Sequence, residues 1–153
     1  MAYWTTVTTL VGSREILVGS VLRSVSLALY MGPGAKEPDS SPIACWLTTP
    51  EGSLRLSCGG VGLRIEKGEP EPGYSMDESG DVILQDGVLL PEIAAVVARR
   101  IDSVHGIYTA GTQDLLGIEL IVGSDHLVVA CWGDELTIGP TLPEDVRRNA
   151  QTP

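Results

Sequence analysis

Across residues 21–31 the odd positions Val21, Val25, Leu27, Leu29 and Met31 are apolar, with Arg23 interrupting the series. A period of two is that of a strand with one buried face, and Gly32-Pro33-Gly34 ends it. The polar run 35–41, with Pro38 inside it, reads as an exposed loop. Residues 42–48 and 53–58 are two β-rich runs joined by Thr49-Pro50-Glu51-Gly52, a sequence suited to the turn of a hairpin. Gly59 and Gly60 then permit a bend before a short strand over 61–65.

The second half reads in a similar way. Val82-Ile83-Leu84 suits a strand, and strands are expected over 101–109, 115–122, 126–132 and 135–138. Gly123-Ser124-Asp125 turns the second hairpin and Gly133-Asp134 bends the chain after it. Two stretches carry helical spacing instead. Tyr3, Val7, Leu10 and Val11 predict a short helix over 3–11. Leu90, Ile93, Val97 and Ile101 predict a better one over 90–100, with Pro91 and Glu92 in its first turn and Arg99 and Arg100 in its last.

Between the halves lies EKGEPEPGYSMDESGD, residues 66–81, with two prolines, three glycines and one lysine among its carboxylates. So little apolar surface predicts a mobile acidic loop. The fold class that follows is α+β: mainly antiparallel sheet, or a half-open barrel, with one or two short helices. The expected organisation is one domain over 1–140 and a polar tail over 141–153. Within it an internal two-fold repeat is suggested, with half-repeats 3–65 and 82–138. LRLSCGGVGLRI at 54–65 aligns without a gap to LVVACWGDELTI at 127–138, with five identities, Leu54, Cys58, Gly60, Leu63 and Ile65 meeting Leu127, Cys131, Gly133, Leu136 and Ile138. A competing register sets the Ala-Cys-Trp triplets 44–46 and 130–132 against each other.

A chain of 153 residues, 43% apolar and 20% charged, has the length and composition of an ordinary globular domain. Twenty acidic and ten basic side chains leave a formal charge of −10. That charge repels nucleic-acid phosphates and anionic lipid and attracts a cationic partner. The N-terminal residues lack a basic segment followed by a continuous apolar one, and no apolar run approaches the ~18 residues of a membrane span, so a cytoplasmic location is expected. Cys45, Cys58 and Cys131 are odd in number with no C-x-x-C pair. They are therefore expected as small buried hydrophobes, with neither a disulfide framework nor a zinc site.

Candidate chemistry is sparse. His105 and His126 are the only imidazoles, one inside an expected strand and one at a turn; both read as structural or solvent-facing, not as general bases. Asp77, Glu78 and Asp81 open like a calcium loop but no closing Glu follows, and Gly59-Gly60-Val61-Gly62 holds a G-x-G fragment with no helix behind it. No catalytic residue, metal or cofactor is expected. Trp4, Trp46, Trp132, Tyr30, Tyr74 and Tyr108 are either core bulk or surface anchors.

The Ser-Val pairs Ser24-Val25 and Ser103-Val104, a hairpin with a Gly-centred turn, and Gly-Asp-Glu-Leu-Thr-Ile at 133–138 resemble small bacterial immunity-protein-like domains encoded beside polymorphic toxins. The resemblance rests mainly on residues 115–138, about a sixth of the chain, and carries over no functional residue. It implies a non-catalytic protein that binds a toxin's active face. The expected function is thus an acidic immunity or antitoxin protein that occludes a cationic toxin, with Glu66, Glu69, Glu71, Asp77, Glu78 and Asp81 as the partner-binding candidates. Two alternatives stay open: a structural or assembly subunit, with homo-oligomerisation through exposed strand edges, and a small-ligand-binding domain.

Overall fold

The computed structural model describes residues 6–109, 114–141 and 150–151. Its elements in chain order are β1 (Thr6–Val7), α1 (Leu10–Leu17), β2 (Ser24–Met31), β3 (Ala44–Thr49), β4 (Gly52–Gly59), β5 (Gly62–Lys67) and β6 (Tyr74–Ser75). A 3-10 turn (Asp77–Ser79), β7 (Asp81–Asp86), a second 3-10 turn (Gly87–Leu89) and α2 (Pro91–Ala94) follow. The remainder is β8 (Ser103–Thr109), β9 (Leu115–Val122), β10 (Asp125–Trp132), β11 (Glu135–Gly139) and β12 (Ala150–Gln151).

Period-two patterning does what it predicts. Val25 and Leu27 of β2 are buried, as are Leu54 and Leu56 of β4 and Leu127 and Val129 of β10. All described strand pairs are antiparallel and form two sheets, ordered β1-β5-β4-β3-β2-β7-β6 and β11-β10-β9-β8-β12. The protein is α+β and mainly antiparallel sheet, in the form of two sheets and not a half-open barrel. One core joins them: Leu47, Leu54 and Leu56 of the larger sheet cluster with Ile118, Leu120, Leu127 and Val129 of the smaller, closed off by Leu17 of α1 and by Ile93. Burying a side chain of this size stabilises by about 1.5–3 kcal/mol.

Helix α1 starts at Leu10, seven residues beyond the expected start of the 3–11 helix. Thr9 sets the start: its hydroxyl accepts from the Gly12 N–H at 3.1 Å. Tyr3, which carried part of that expectation, lies outside the described residues. The helix expected over 90–100 is also corrected, because only Pro91–Ala94 is α-helical. Ala98 takes φ 68°, and the chain beyond it pairs with residues 19–22. The residues that carried its apolar spacing register burial, full at Ile93 and Ile101 and partial at Leu90 and Val97, not helix length.

The pairing with residues 19–22 is reciprocal. Gly19 N donates to Ile101 O at 2.8 Å and Ala98 N to Leu22 O at 2.7 Å; Leu22 N donates to Arg99 O and Ile101 N to Ser20 O, each at 2.9 Å. Val21 and Arg100 form the antiparallel bridge at the centre. From there β2–β5 and β8–β11 pair in matching registers. Leu47 lies opposite both Val25 and Leu54 as Leu120 lies opposite both Val104 and Leu127. Cys58 lies opposite Leu63 as Cys131 lies opposite Leu136. The match is one of pairing and order; the sparse identities do not establish a sequence repeat.

Cys58 and Cys131 are bonded to each other across the sheets, 73 residues apart, which corrects the expectation of unpaired cysteines. Only Cys45 is free among the described cysteines. Burial in the core pushes its thiol up to about 12, so it is an inert thiol at neutral pH.

Candidate functional site

Acidic residues reach the surface unevenly. From Gly68 to Ala98 the chain carries Glu69, Glu71, Asp77, Glu78, Asp81, Asp86 and Glu92 and no Lys, Arg or His. This stretch forms β6, β7, the two 3-10 turns and α2, so it makes up one edge of the larger sheet and the elements beside it. Basic side chains lie elsewhere, several of them engaged: Arg55 with Glu66, Arg99 with Asp125, and Arg14 with the carbonyl of Val104.

The six carboxylates expected to bind a partner divide on this surface. Glu69, Asp77, Glu78 and Asp81 are exposed, and Glu71 is half-buried. Glu66 is a correction: it lies in β5, is only 7% exposed, and accepts from Arg55 Nη1 at 2.9 Å with Arg64 Nε at 3.4 Å. A buried carboxylate already ion-paired within its own sheet is poorly placed to steer a partner. Glu69 also has a local tie, accepting from the Ser53 hydroxyl at 3.0 Å.

The segment that holds them is not the loose loop its composition predicts. Residues 66–67 finish β5, Tyr74 and Ser75 pair with Asp81 and Val82, and the Tyr30 hydroxyl donates to Ser79 O at 2.6 Å. Between these ties Glu71, Pro72, Gly73 and Tyr74 border a cavity of about 40 Å³ with Trp46 and Arg55. Trp46, 2% exposed, thereby lies beneath a strap, and the Arg55 guanidinium carbon stands 5.7 Å from its ring centroid. Trp132 is 37% exposed and Tyr74 is 55% exposed.

Near the acidic edge the structure opens a cleft of about 500 Å³ that no sequence signal marked. Leu27 and Leu29 of β2 line it together with Leu136 and Ile138 of β11, Leu89 and Leu90, and residues 37–42 of the β2–β3 loop. That loop is held by Asp39 N donating to Tyr30 O at 2.8 Å and by the Ser41 hydroxyl reaching Leu136 O at 3.4 Å. Its charged lining residues are Glu37, Asp39 and Asp86, all exposed. A smaller cleft of about 370 Å³, lined by Leu10, Leu63, Arg64, Ile65 and Asp114 among others, occupies the matching place in the other half. It includes the glycines of the G-x-G fragment, which turn β4 into β5.

The histidines stand apart. His105 Nε2 is 3.3 Å from the Ser103 hydroxyl, and exposed His126 Nδ1 is 3.2 Å from Glu119 Oε2. No group of three or more His, Cys, Asp or Glu side chains placed to hold a metal occurs among the described residues, and no helix there is long and apolar enough to cross a membrane. The chain matches no protein-family model, no curated protein and no solved structure.

Proposed function

We propose that this chain is an acidic binding protein that recognises a cationic protein, in the manner of an immunity or antitoxin protein covering a basic toxin. The observation that carries the reading is the uniform sign of residues 68–98: seven carboxylates and no basic side chain along one edge of the larger sheet. A surface of one sign raises the rate of encounter with an oppositely charged partner and disfavours partners of its own sign. The formal charge of −10 adds to the same field. Because Asp77, Glu78, Asp81, Asp86 and Glu92 sit on a paired strand and short helical turns, they present a fixed pattern, and little ordering of them is needed on binding.

The test is association kinetics against the product of the neighbouring gene, at low and at high salt. Glu69→Gln, Asp77→Asn, Glu78→Gln and Asp81→Asn combined should lower the on-rate by about tenfold and change the off-rate less. Raising salt from 0.1 M to 1 M shortens the screening length from about 10 Å to about 3 Å, so association of the unmodified protein should slow with it. An on-rate indifferent to both the variant and the salt removes this edge from recognition. No binding to the neighbouring product removes the immunity reading.

A further inference from the structure

We propose that the 500 Å³ cleft is an anchor pocket for a large aliphatic or aromatic side chain that stands beside basic residues on the partner protein. The inference rests on the reading of the chain as a binder of a cationic protein and names the place where that partner is gripped. Its volume falls within the ~300–1,000 Å³ of ordinary ligand clefts. The floor is apolar: Leu27, Leu29 and Leu136 are each less than a tenth exposed and belong to the shared core. At the lip Leu89 is 68% exposed. Covering such a side chain with an apolar group removes apolar surface from water and is favourable.

Charge selects the occupant. Glu37, Asp39 and Asp86 ring an apolar floor, and no Lys, Arg or His is among the described lining residues. A fatty acid or an acidic peptide would bring its carboxylate against three others. A second copy of this chain would bring another formal charge of −10 to the most acidic region of the first. A basic segment meets neither penalty: its aliphatic or aromatic group fills the floor while its cations reach the rim.

The matching cleft of the other half shows the specificity by contrast. There Arg64 stands where this cleft has Thr137, and Leu10 where it has Leu89. The lining of that cleft thus mixes a basic side chain, Arg64, with one carboxylate, Asp114. Thr137 leaves the larger cleft both open and negative, and its hydroxyl is turned to Ala130 O at 3.2 Å. Only one of the two clefts therefore combines apolar depth with an all-acidic rim.

The experiment uses the full chain and labelled synthetic peptides of equal length, alternating Arg/Leu, Arg/Ser or Glu/Leu, read by fluorescence anisotropy. The Arg/Leu peptide should bind at least about tenfold more tightly than either of the others. Leu89→Arg and, independently, Thr137→Arg should weaken it by about tenfold or more; Leu89 is exposed, so its replacement leaves the fold intact, which thermal unfolding verifies. Glu37→Gln with Asp39→Asn should weaken it by a smaller factor. Equal binding of Arg/Leu and Arg/Ser, unaffected by either arginine variant, overturns the pocket while leaving the acidic edge as a binder of cations. Equal binding of Glu/Leu, or no binding of Arg/Leu, also overturns it. A dimer seen by sedimentation and abolished by Leu89→Arg would make a second copy the occupant and overturn it too. Loss of all binding to the neighbouring gene product, with peptide binding retained, would instead sink the proposed partner class.

Discussion

Strands β2 to β5 and strands β8 to β11 run the same course, each a four-stranded meander, and each is followed by a strand that returns to the free edge of the first: β7 on β2, and β12 on β8. Their inner positions agree in kind, with Leu47, Leu54 and Leu63 in one where Leu120, Leu127 and Leu136 stand in the other. Their outer positions do not. Arg55, Ser57 and Glu66 occupy the outer face of the larger sheet where Val128, Ala130 and Gly139 occupy that of the smaller. The difference teaches which part of the fold is fixed by packing. The inner faces meet each other, so volume is constrained on both sides. The outer face of the larger sheet meets a strap over Trp46 and Arg55 instead.

The largest expected effect comes from cutting the tie between equivalent positions. The Cys58–Cys131 bond closes a loop of 73 residues, and loop-closure entropy assigns such a link a stabilisation of up to about 4 kcal/mol. Cys58→Ser with Cys131→Ser should lower the urea midpoint accordingly, and reduction of the unmodified protein should reproduce the loss. An unchanged midpoint on reduction would mean that the shared core alone joins the halves. The bond also bears on the expected cytoplasmic location, because disulfides persist in oxidising surroundings and are rare in a reducing cytosol.

A middling effect should come from the outer-face difference. Glu66→Leu strands the Arg55 guanidinium beside Trp46 without its carboxylate, which should cost about 3 kcal/mol. Arg55→Val together with Glu66→Leu makes this face resemble the apolar face of the smaller sheet and should cost less than the sum of the single changes. A double-mutant cycle by chemical denaturation measures the gap. Strictly additive losses would show that the two residues do not act as a pair and that the outer faces differ for another reason.

The same comparison shows where the sequence was legible. Both hairpins were readable because alternation on either side of Pro50-Glu51 and of Gly123-Ser124 leaves one register with the apolar residues inward. Helix 90–100 was misread because Leu90, Ile93, Val97 and Ile101 are spaced for a helix while the chain leaves that path at Ala98 to bond with Leu22, a tertiary event. The strap was misread because its glycines looked like loop residues. A Cβ on Gly73 would stand 2.6 Å from Val82 O and one on Gly80 2.5 Å from Met31 O, so these glycines let the chain lie close against β7 and β2. Composition counts such residues as flexible; geometry uses them for contact. The disulfide had one available signal, the gapless alignment of Cys58 with Cys131. The anchor cleft had none, because its walls come from separate segments of the chain.

The smallest expected effect concerns the clefts themselves. Within the matched registers, Gly106 of β8, opposite Ile118, takes the place that Leu27, opposite Cys45, holds in β2; the match ends at Ile107, where the register of β8 on β9 shifts. A Cβ on Gly106 would approach Leu10 Cδ2 to 2.7 Å and the Tyr108 ring to 2.8 Å. The space that Leu27 fills in one half is therefore taken in the other by neighbours of a glycine, one of which, Leu10, also lines the second cleft. Gly106→Ala then sets two effects against each other. Losing a glycine restricts the unfolded chain and stabilises by about 0.4–1 kcal/mol where the native backbone accepts alanine. Overpacking opposes this at about 1–3 kcal/mol, toward the low end here because the crowded atoms are the ends of movable side chains. The net should be a loss of about 1 kcal/mol, seen as a small drop in thermal midpoint with peptide binding at the larger cleft unchanged. A gain in stability would show that Leu10 and Tyr108 are not packed tightly against Gly106, and the asymmetry of the two clefts would have to be traced to Arg64 instead.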